Sequence, residues 1–304
     1  MSVPKTETVK KPSLVRGARK DDVLTPGKII WKRFRRNKTA MFGLIIIALL
    51  IAVSVLAPVL ANHDRDAFIL VNKQQPPSSV YWLGTDNIGR DIYSRVLWGG
   101  RVSLMVGFLA SLIQMGIGIT LGSLAGYYGG YVDTFIMRLT DVVLSFPFLA
   151  LAIVVAAILG PSEYNTALVI GFLSWTTTCR LIRGQFLSIK QAEYIEATKA
   201  LGIRELRVIY KHMLPNAFAP ILIAGTLTMA TAILVEAGLS FLGLGVKPPL
   251  PSWGNMLEAA RNFRVVDSMW WIWVPPGSMI FLAVLCINLV GDGLRDALDP
   301  RLKR

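Results

Sequence analysis

The residues that could carry covalent or metal chemistry are few in this sequence and lie far apart. His63 and His212 are the only histidines, which argues against a histidine zinc cluster or a histidine-based catalytic triad. Cys179 and Cys286 lack C-x-x-C spacing, and we interpret them as packing thiols. The phosphate-binding pattern GxxxxGK[ST] is absent. The chain is therefore predicted to be no enzyme and to bind no cofactor of its own. It either moves something without an internal energy source or forms a passive pore.

Composition indicates a membrane protein. The chain has 304 residues, of which 53% are hydrophobic and 17% charged, with a mean hydropathy of +0.52. A soluble domain has about 25% charged residues. The formal charge of +13 could suggest nucleic acid, but twelve of the 32 Lys and Arg residues precede Thr39. This uneven distribution favours a lipid bilayer as the partner and argues against nucleic acid.

Six apolar runs without Asp, Glu, Lys or Arg are predicted to span the membrane. A span needs roughly 20 residues, and the fourth run is short for one. Pro147 is expected to kink the third span. The six runs are residues 40–60, 102–126, 142–162, 164–179, 216–235 and 268–291.

Ionisable residues are placed only at the edges of these predicted spans. Arg138 and Asp141 are three positions apart at the edge of the third span, and we interpret them as a structural pair. Glu236 follows the fifth span directly and is predicted to lie at the membrane interface. A secondary transporter or proton pump usually has ionisable groups inside its spans, so this pattern argues against ion coupling.

Lysine and arginine positions predict the orientation. With the N-terminus inside, the segments on the cytoplasmic side hold 24 of these residues and the outside segments hold eight. Both termini are therefore predicted to be cytoplasmic. Predicted divisions are a basic tail with an amphipathic segment (1–39), a first helix (40–60), an extracytoplasmic segment (61–101), a core (102–291) and a C-terminal tail (292–304).

A charged segment between the fourth and fifth spans reads EYIEATKALGIRELRVIYKHMLPN, from Glu193 to Asn216. Its periodicity predicts two short helices, residues 190–201 and 203–213, separated by a turn at Gly202. Pro215 is expected to end the second helix. The second helix carries one apolar stripe, which either rests on the protein's own helix ends or is presented to a partner. The stripe consists of Leu206, Ile209, Tyr210 and Met213.

The spacing of Glu196-Ala197-Thr198, Gly202 and the sequence HMLP (His212–Pro215) resembles the EAA loop of ABC-importer permeases. Thr198 stands where that motif usually has alanine, and His212 where many members have isoleucine. Four further stretches resemble the C-type permease of the dipeptide/oligopeptide branch, and the similarity covers about residues 28–304. They are LGTDNIGRDIYSRVLWGGRVSL, GYYGGYVDTFIMRLTDVVLSFP, GLSFLGLGVKPPLPSWGNML and GDGLRDALDPRLK.

This resemblance implies an all-α membrane protein of the type I ABC importer permease fold, in a prokaryotic plasma membrane. The implied assembly has a second, unlike permease, two ATPase subunits that bind ATP and magnesium, and an extracytoplasmic substrate-binding protein. The EAA loop, residues 184–215, would dock on the ATPase subunits. The implied docking residues are Glu196, Ala197, Gly202, Leu206, Ile209, His212, Leu214 and Pro215.

Two other functions stay open at this stage. One is a permease of the same branch for nickel or another small solute, and the other is a self-contained secondary transporter or channel. The residues that contact the substrate are not identifiable from the sequence.

Overall fold

A computed structural model of the chain describes residues 26–298. Most of the predicted basic tail, residues 1–25, and the last residues, 299–304, lie outside the described part. Within 26–298 the chain forms helices joined by loops and turns, without a β-sheet. The all-α fold class is thus confirmed for the described residues.

The helices of the first half are α1 (Pro26–Arg36), α2 (Lys38–Val55), α3 (Ala57–Leu60), α4 (Ile92–Tyr128), α5 (Gly130–Leu144) and α6 (Phe148–Leu159). The second half contains α7 (Glu163–Lys190), α8 (Glu193–Ala200), α9 (Glu205–Arg207), α10 (Phe218–Phe241), α11 (Trp253–Met256), α12 (Phe263–Ser268) and α13 (Trp270–Leu298). Three further short helical turns are 3₁₀ turns at Leu70–Asn72 and Leu257–Arg261 and a π-helical segment at Val208–Met213.

Four of the described helices are long and apolar enough to cross a membrane, namely α2, α4, α10 and α13. The pair α5 and α6 adds a fifth span if the two are counted together. The predicted fourth span, residues 164–179, lies within α7, which does not meet the same criteria. The chain therefore has the architecture of a multi-pass membrane protein, and the count of six spans stays a prediction.

The centre of the bundle is the close packing of α4 on α7. Gly118, Gly122 and Gly126 lie on one face of α4, where small residues let two helix backbones approach. An added Cβ would lie 2.6 Å from Thr178 Cβ at Gly118, and 2.5 Å from the Cys179 carbonyl oxygen at Gly122. The spacing of four residues therefore sets the contact between two helices of this chain.

The predicted kink at Pro147 is confirmed and is a break in the helix. α5 ends at Leu144, α6 begins at Phe148, and the two helices are bent by 85°. Proline has no N–H to donate, and it disfavours helical geometry at the preceding residue. The break leaves a stretch of irregular backbone in the predicted third span.

The two ends of the bundle carry different loops. We call the end with residues 191–217 the inner end, after the predicted topology, and the end with residues 61–91 and 242–269 the outer end. At the inner end α1 packs through Phe34 on Ala297 of α13. Lys28, Lys32 and Arg35 of α1 are exposed, and so are Ile29 and Trp31, so the exposed surface of this helix is both basic and apolar.

Candidate functional site

The turn at Gly202 has the geometry that the sequence predicts. α8 ends at Ala200, and Gly202 has φ = +69°, in the left-handed region. The Ile203 N–H donates to the Thr198 carbonyl over 3.2 Å, the 6→1 bond of a glycine helix cap. A Cβ built on Gly202 meets no atom within 4 Å, so glycine is favoured here by the backbone conformation alone.

The second helix of the EAA loop differs from the predicted regular helix over residues 203–213. It begins at Glu205, and from Val208 to Met213 it is a π-helix, followed by a 2.8 Å bond from Leu214 N–H to the Ile209 carbonyl. A π-turn holds more residues than an α-turn, so successive side chains are rotated by a smaller angle.

This π-turn divides the predicted apolar stripe between two environments. Ile209 is 1% exposed and Met213 is buried with it, whereas Leu206 is 58% exposed and Tyr210 is similarly open. Packing on the chain's own helices is therefore confirmed for half of the stripe, and presentation to a partner stays a prediction for the other half. Ile209 and Met213 rest on the chain's own helices, and Leu206 and Tyr210 are free to meet a partner.

The loop is seated on the inner ends of three long helices. Its buried side chains, Ile195 and Val208 among them, share one cluster with Phe186 of α7, Tyr127 of α4 and Ile221 of α10. Burying a side chain of this size contributes roughly 1.5–3 kcal/mol. This hydrophobic packing therefore holds the loop on the bundle.

Polar contacts link the loop region to the end of α4. Lys190 Nζ donates to the Tyr127 carbonyl over 2.6 Å, and Glu205 bonds the side chain of Tyr128. With Gly202 these residues line a cleft of about 470 Å³ at the inner end. These four residues could not be predicted from the sequence, because the partners are more than 60 residues apart and follow no local pattern.

The remaining predicted docking residues are distributed over the surface of the loop. Glu196 and Ala197 are exposed on α8, and the Glu196 carboxylate takes part in none of the ion pairs found within residues 26–298. His212 and Leu214 are half-buried and Pro215 is exposed. The His212 carbonyl accepts a 2.6 Å bond from Asn216 Nδ2. The exposed residues of the loop include the acidic Glu196, the apolar Leu201, Leu206 and Tyr210, and the basic Arg204, Arg207 and Lys211.

The ion pairs near this end join α5 to α7. Arg183 makes a bidentate pair with Asp133, in which Nη2 lies 2.6 Å from Oδ2. Asp141 Oδ1 lies 2.6 Å from Nη2 of Arg180. The predicted pairing of Asp141 with Arg138 is therefore wrong. The nearer residue in sequence lies on the same helix, but the bundle packing brings Arg180 of a different helix to Asp141.

A second polar cluster lies at the outer end of the bundle, around the Glu236 carboxyl group. Glu236 was predicted at the interface, but α10 continues to Phe241 and the Glu236 side chain is 0% exposed. Its Oε2 accepts from Ser103 of α4 over 2.9 Å and its Oε1 from Ser240 over 2.7 Å. The Ser252 side chain makes a third hydrogen bond. These three serines, one from the same helix and two from elsewhere in the chain, explain how a buried carboxyl group is tolerated here.

Comparison with known proteins gives matches over most of the chain. The family described as "Binding-protein-dependent transport system inner membrane component" matches residues 118–304. The "N-terminal TM domain of oligopeptide transport permease C" matches residues 25–77.

Three curated relatives are similar over nearly their whole length. The chain is 44% identical to the dipeptide transport system permease protein DppC of Alkalihalophilus pseudofirmus, over 92% of this chain and 91% of the relative. It is 42% identical to the glutathione transport system permease protein GsiD of Pectobacterium atrosepticum, over 94% of each chain. It is 40% identical to the oligopeptide transport system permease protein OppC of Bacillus subtilis, over 90% and 91%.

Among solved structures, the fold is similar to a chain of the MetNI methionine ABC transporter in inward-facing conformations. The TM-score is 0.55 at 17% identity, covering 68% of this chain and 98% of that chain. At this level of identity the similarity concerns the fold alone. The type I importer architecture implied by the EAA-loop resemblance agrees with it.

Proposed function

Because the chain belongs to the family of binding-protein-dependent transport system inner membrane components, we propose that it is the permease of an ATP-driven peptide importer. It forms half of the translocation path and transmits the work of cytoplasmic ATPase subunits through the EAA loop. The chain itself is non-catalytic, and ATP and magnesium bind to the partner subunits.

One observation supports the coupling role. One side of the EAA loop is packed against the bundle, and its other side is exposed, with the Glu196 carboxylate in none of the ion pairs of the described residues. Ile209 anchors the π-helix in the bundle, while Glu196 and Leu206 are exposed. A surface of this kind docks an amphipathic helix into a groove on a partner. Gly202 sets the angle between the two helices, Ala197 lies beside Glu196, and His212, Leu214 and Pro215 end the docking segment.

Peptides are the proposed substrates. Relatives named for dipeptide, oligopeptide and glutathione transport resemble the chain at similar identity, and glutathione is itself a small peptide. The common chemical feature of these substrates is the peptide main chain.

The proposed assembly places the chain in the prokaryotic plasma membrane beside a second, unlike permease. Two ATPase subunits bind the EAA loops, and a binding protein delivers the substrate on the outer side. Six spans with both termini in the cytoplasm, as proposed from the charge distribution, put residues 191–217 on the side of the ATPases. The core domain, residues 102–291, contains the loop.

Reconstitution of the full complex in liposomes tests this function. We expect uptake of a labelled dipeptide only when ATP, both ATPase subunits and the binding protein are present. Uptake by the permease pair without ATPase subunits would contradict the proposal and indicate a self-contained transporter.

Lys190 provides a specific test of how the loop is linked to α4. Lys190→Met removes the donor to the Tyr127 carbonyl, one of the four terminal carbonyls of α4 that lack a helical partner. A hydrogen bond from a charged donor contributes about 1.5–3 kcal/mol. We expect ATP hydrolysis to continue while peptide uptake per ATP falls several-fold, because the loop moves less tightly with α4.

Lys28→Met is the matched control, since Lys28 is an exposed lysine at the inner end that lies on α1, outside the EAA loop. The ratio of uptake to hydrolysis should stay near the wild-type value in this control. An unchanged ratio in Lys190→Met would mean that the contact with α4 does not transmit the motion.

A further inference from the structure

Two neighbouring cavities run along α7 and α10 and together form one groove. Their volumes are about 390 and 420 Å³, and they share Thr177, Leu227 and Thr228 in their walls. The first cavity extends to Leu144 and Phe148, on either side of the break between α5 and α6. The second ends beside Arg295 of α13.

The wall of the first cavity contains hydroxyl and amide groups and no charged side chain among the described residues. Ser174 and Thr177 are one turn apart on α7, and Thr228 and Thr231 are one turn apart on α10. Behind them Gln114 donates to Thr178 over 3.3 Å. The rest of the lining is one further hydroxyl residue, Thr176, and apolar side chains, namely Leu144, Phe148, Ile170, Leu173, Leu227, Ala232 and Val235.

Backbone geometry supports a hydrated cavity here. The break at Pro147 interrupts the helical hydrogen bonds within a predicted span. Irregular backbone at membrane depth is tolerated where it is buried in protein or lines a water-filled cavity, and it is not tolerated against lipid tails. Leu144 and Phe148, which flank the break, are exposed in this chain and line the groove, so the break is not buried in its own bundle and the groove is expected to hold water.

The hydroxyl groups also have free acceptor capacity. Thr228 donates to the Gly225 carbonyl over 2.9 Å, and Thr231 donates to the Leu227 carbonyl over 2.9 Å. Each oxygen therefore keeps lone pairs that can accept an N–H group. Hydroxyls of this kind bind a peptide N–H whatever the charge of the neighbouring side chain.

We propose that this groove is a contact surface for the peptide main chain during translocation, with Ser174, Thr177, Thr228 and Thr231 as its polar contacts. The inference rests on the proposed function and extends it to a substrate-contacting surface. In the first cavity, a wall with hydroxyl groups and without charge accommodates acidic, neutral and basic peptides alike, and Arg295 lies only at the far end of the second cavity.

A pair of opposite charge substitutions at Thr228, which lines both cavities, tests the proposal. The full complex in liposomes is assayed with trialanine, Ala-Glu-Ala and Ala-Lys-Ala, and each variant is compared with the wild-type complex. Thr228→Asp should lower the ratio of acidic to basic peptide uptake about tenfold, and Thr228→Lys should raise it about tenfold. This is the effect of one unit charge at several ångströms in a partly hydrated site.

Thr120→Asp and Thr120→Lys are the matched controls. Thr120 is an exposed threonine of α4 that also bonds a carbonyl of its own helix, at Gly116, and it lines neither cavity. These substitutions should leave the peptide ratio unchanged. Equal slowing of all three peptides by both Thr228 variants would overturn the proposal, since lipid or the second permease would then cover the groove.

A cysteine variant keeps the test valid if a charged side chain prevents assembly. Thr177→Cys is made in the wild-type background, where Cys179 and Cys286 are buried, and the assembled complex is treated with cationic or anionic methanethiosulfonate reagents. We expect reaction from water, protection by trialanine and the same opposite shifts in peptide ratio. A thiol that fails to react would refute the proposal. Absence of peptide uptake by the wild-type complex would instead refute the proposed function.

Discussion

Replacement of Gly202 by valine is expected to lower peptide uptake about 5–30-fold while the bundle stays assembled. Gly202 has φ = +69°, and an L-residue in this region costs about 1–2 kcal/mol, which corresponds to that range in an equilibrium. No atom lies within 4 Å of an added Cβ, so the effect comes from the backbone and not from a steric clash. The turn would relax toward negative φ and change the direction of the following π-helix.

Asparagine at the same position is the control, because asparagine occupies the left-handed region more readily than other side chains. Gly202→Asn should keep most of the uptake. The measurements are co-purification of the ATPase subunits with the permease and peptide uptake per ATP hydrolysed. Wild-type uptake in Gly202→Val would show that the angle at this turn does not control docking.

The sequence could predict this turn because all of its determinants are local. A glycine between two helical patterns indicates a helix cap, and the structure has the cap bond from Ile203 to Thr198. The face of α4 formed by Gly118, Gly122 and Gly126 is also a local feature, since a four-residue spacing places residues on one side of a helix.

The second helix does not carry the single apolar stripe that was predicted, because two of the four residues are buried and two are exposed. The reason is physical. The prediction assumed 3.6 residues per turn, and the π-helix from Val208 changes that period. No residue in the segment signals a π-turn by its type. The burial of Ile209 and the exposure of Leu206 therefore became visible only with the backbone in place.

Contacts between distant parts of the chain were beyond sequence reasoning. Lys190 bonds a backbone carbonyl 63 residues away, and every residue has such a carbonyl, so no residue type marks the acceptor. Glu236 was excluded from the fifth span because its charge ended the apolar run. Of the hydroxyls that satisfy it, Ser240 lies one turn further along the same helix, but those of Ser103 and Ser252 come from other parts of the chain and follow no local pattern.

The Glu236 cluster joins three parts of the outer end. Besides bonding Glu236, Ser103 accepts from the Trp253 N–H over 3.1 Å, and Ser240 accepts from the Val246 N–H over 3.1 Å. The carboxyl group thus fixes two serines that in turn hold the outer loop between α10 and α11. Loss of the carboxyl group should therefore affect the loop as well as the helices.

Glu236→Ala is expected to destabilise the permease strongly. The substitution leaves at least two buried hydroxyl donors without an acceptor, and each such group costs roughly 1–3 kcal/mol. The total, roughly 2–6 kcal/mol, is large relative to the net stability of a folded protein. Glu236→Gln should be milder, because its carbonyl oxygen still accepts one of the hydroxyls.

Glu258→Ala serves as the control, since Glu258 is half-exposed at the same end and pairs with Arg261 at 3.5 Å. Thermal unfolding of the purified complex and labelling of a cysteine at the exposed position Lys247 report on the bundle and the loop, respectively. We expect a lower unfolding temperature and faster labelling in Glu236→Ala, an intermediate result in Glu236→Gln and wild-type behaviour in Glu258→Ala. If Glu236→Ala unfolded and labelled like the wild type, the buried carboxyl group would not be what holds the outer loop on the bundle.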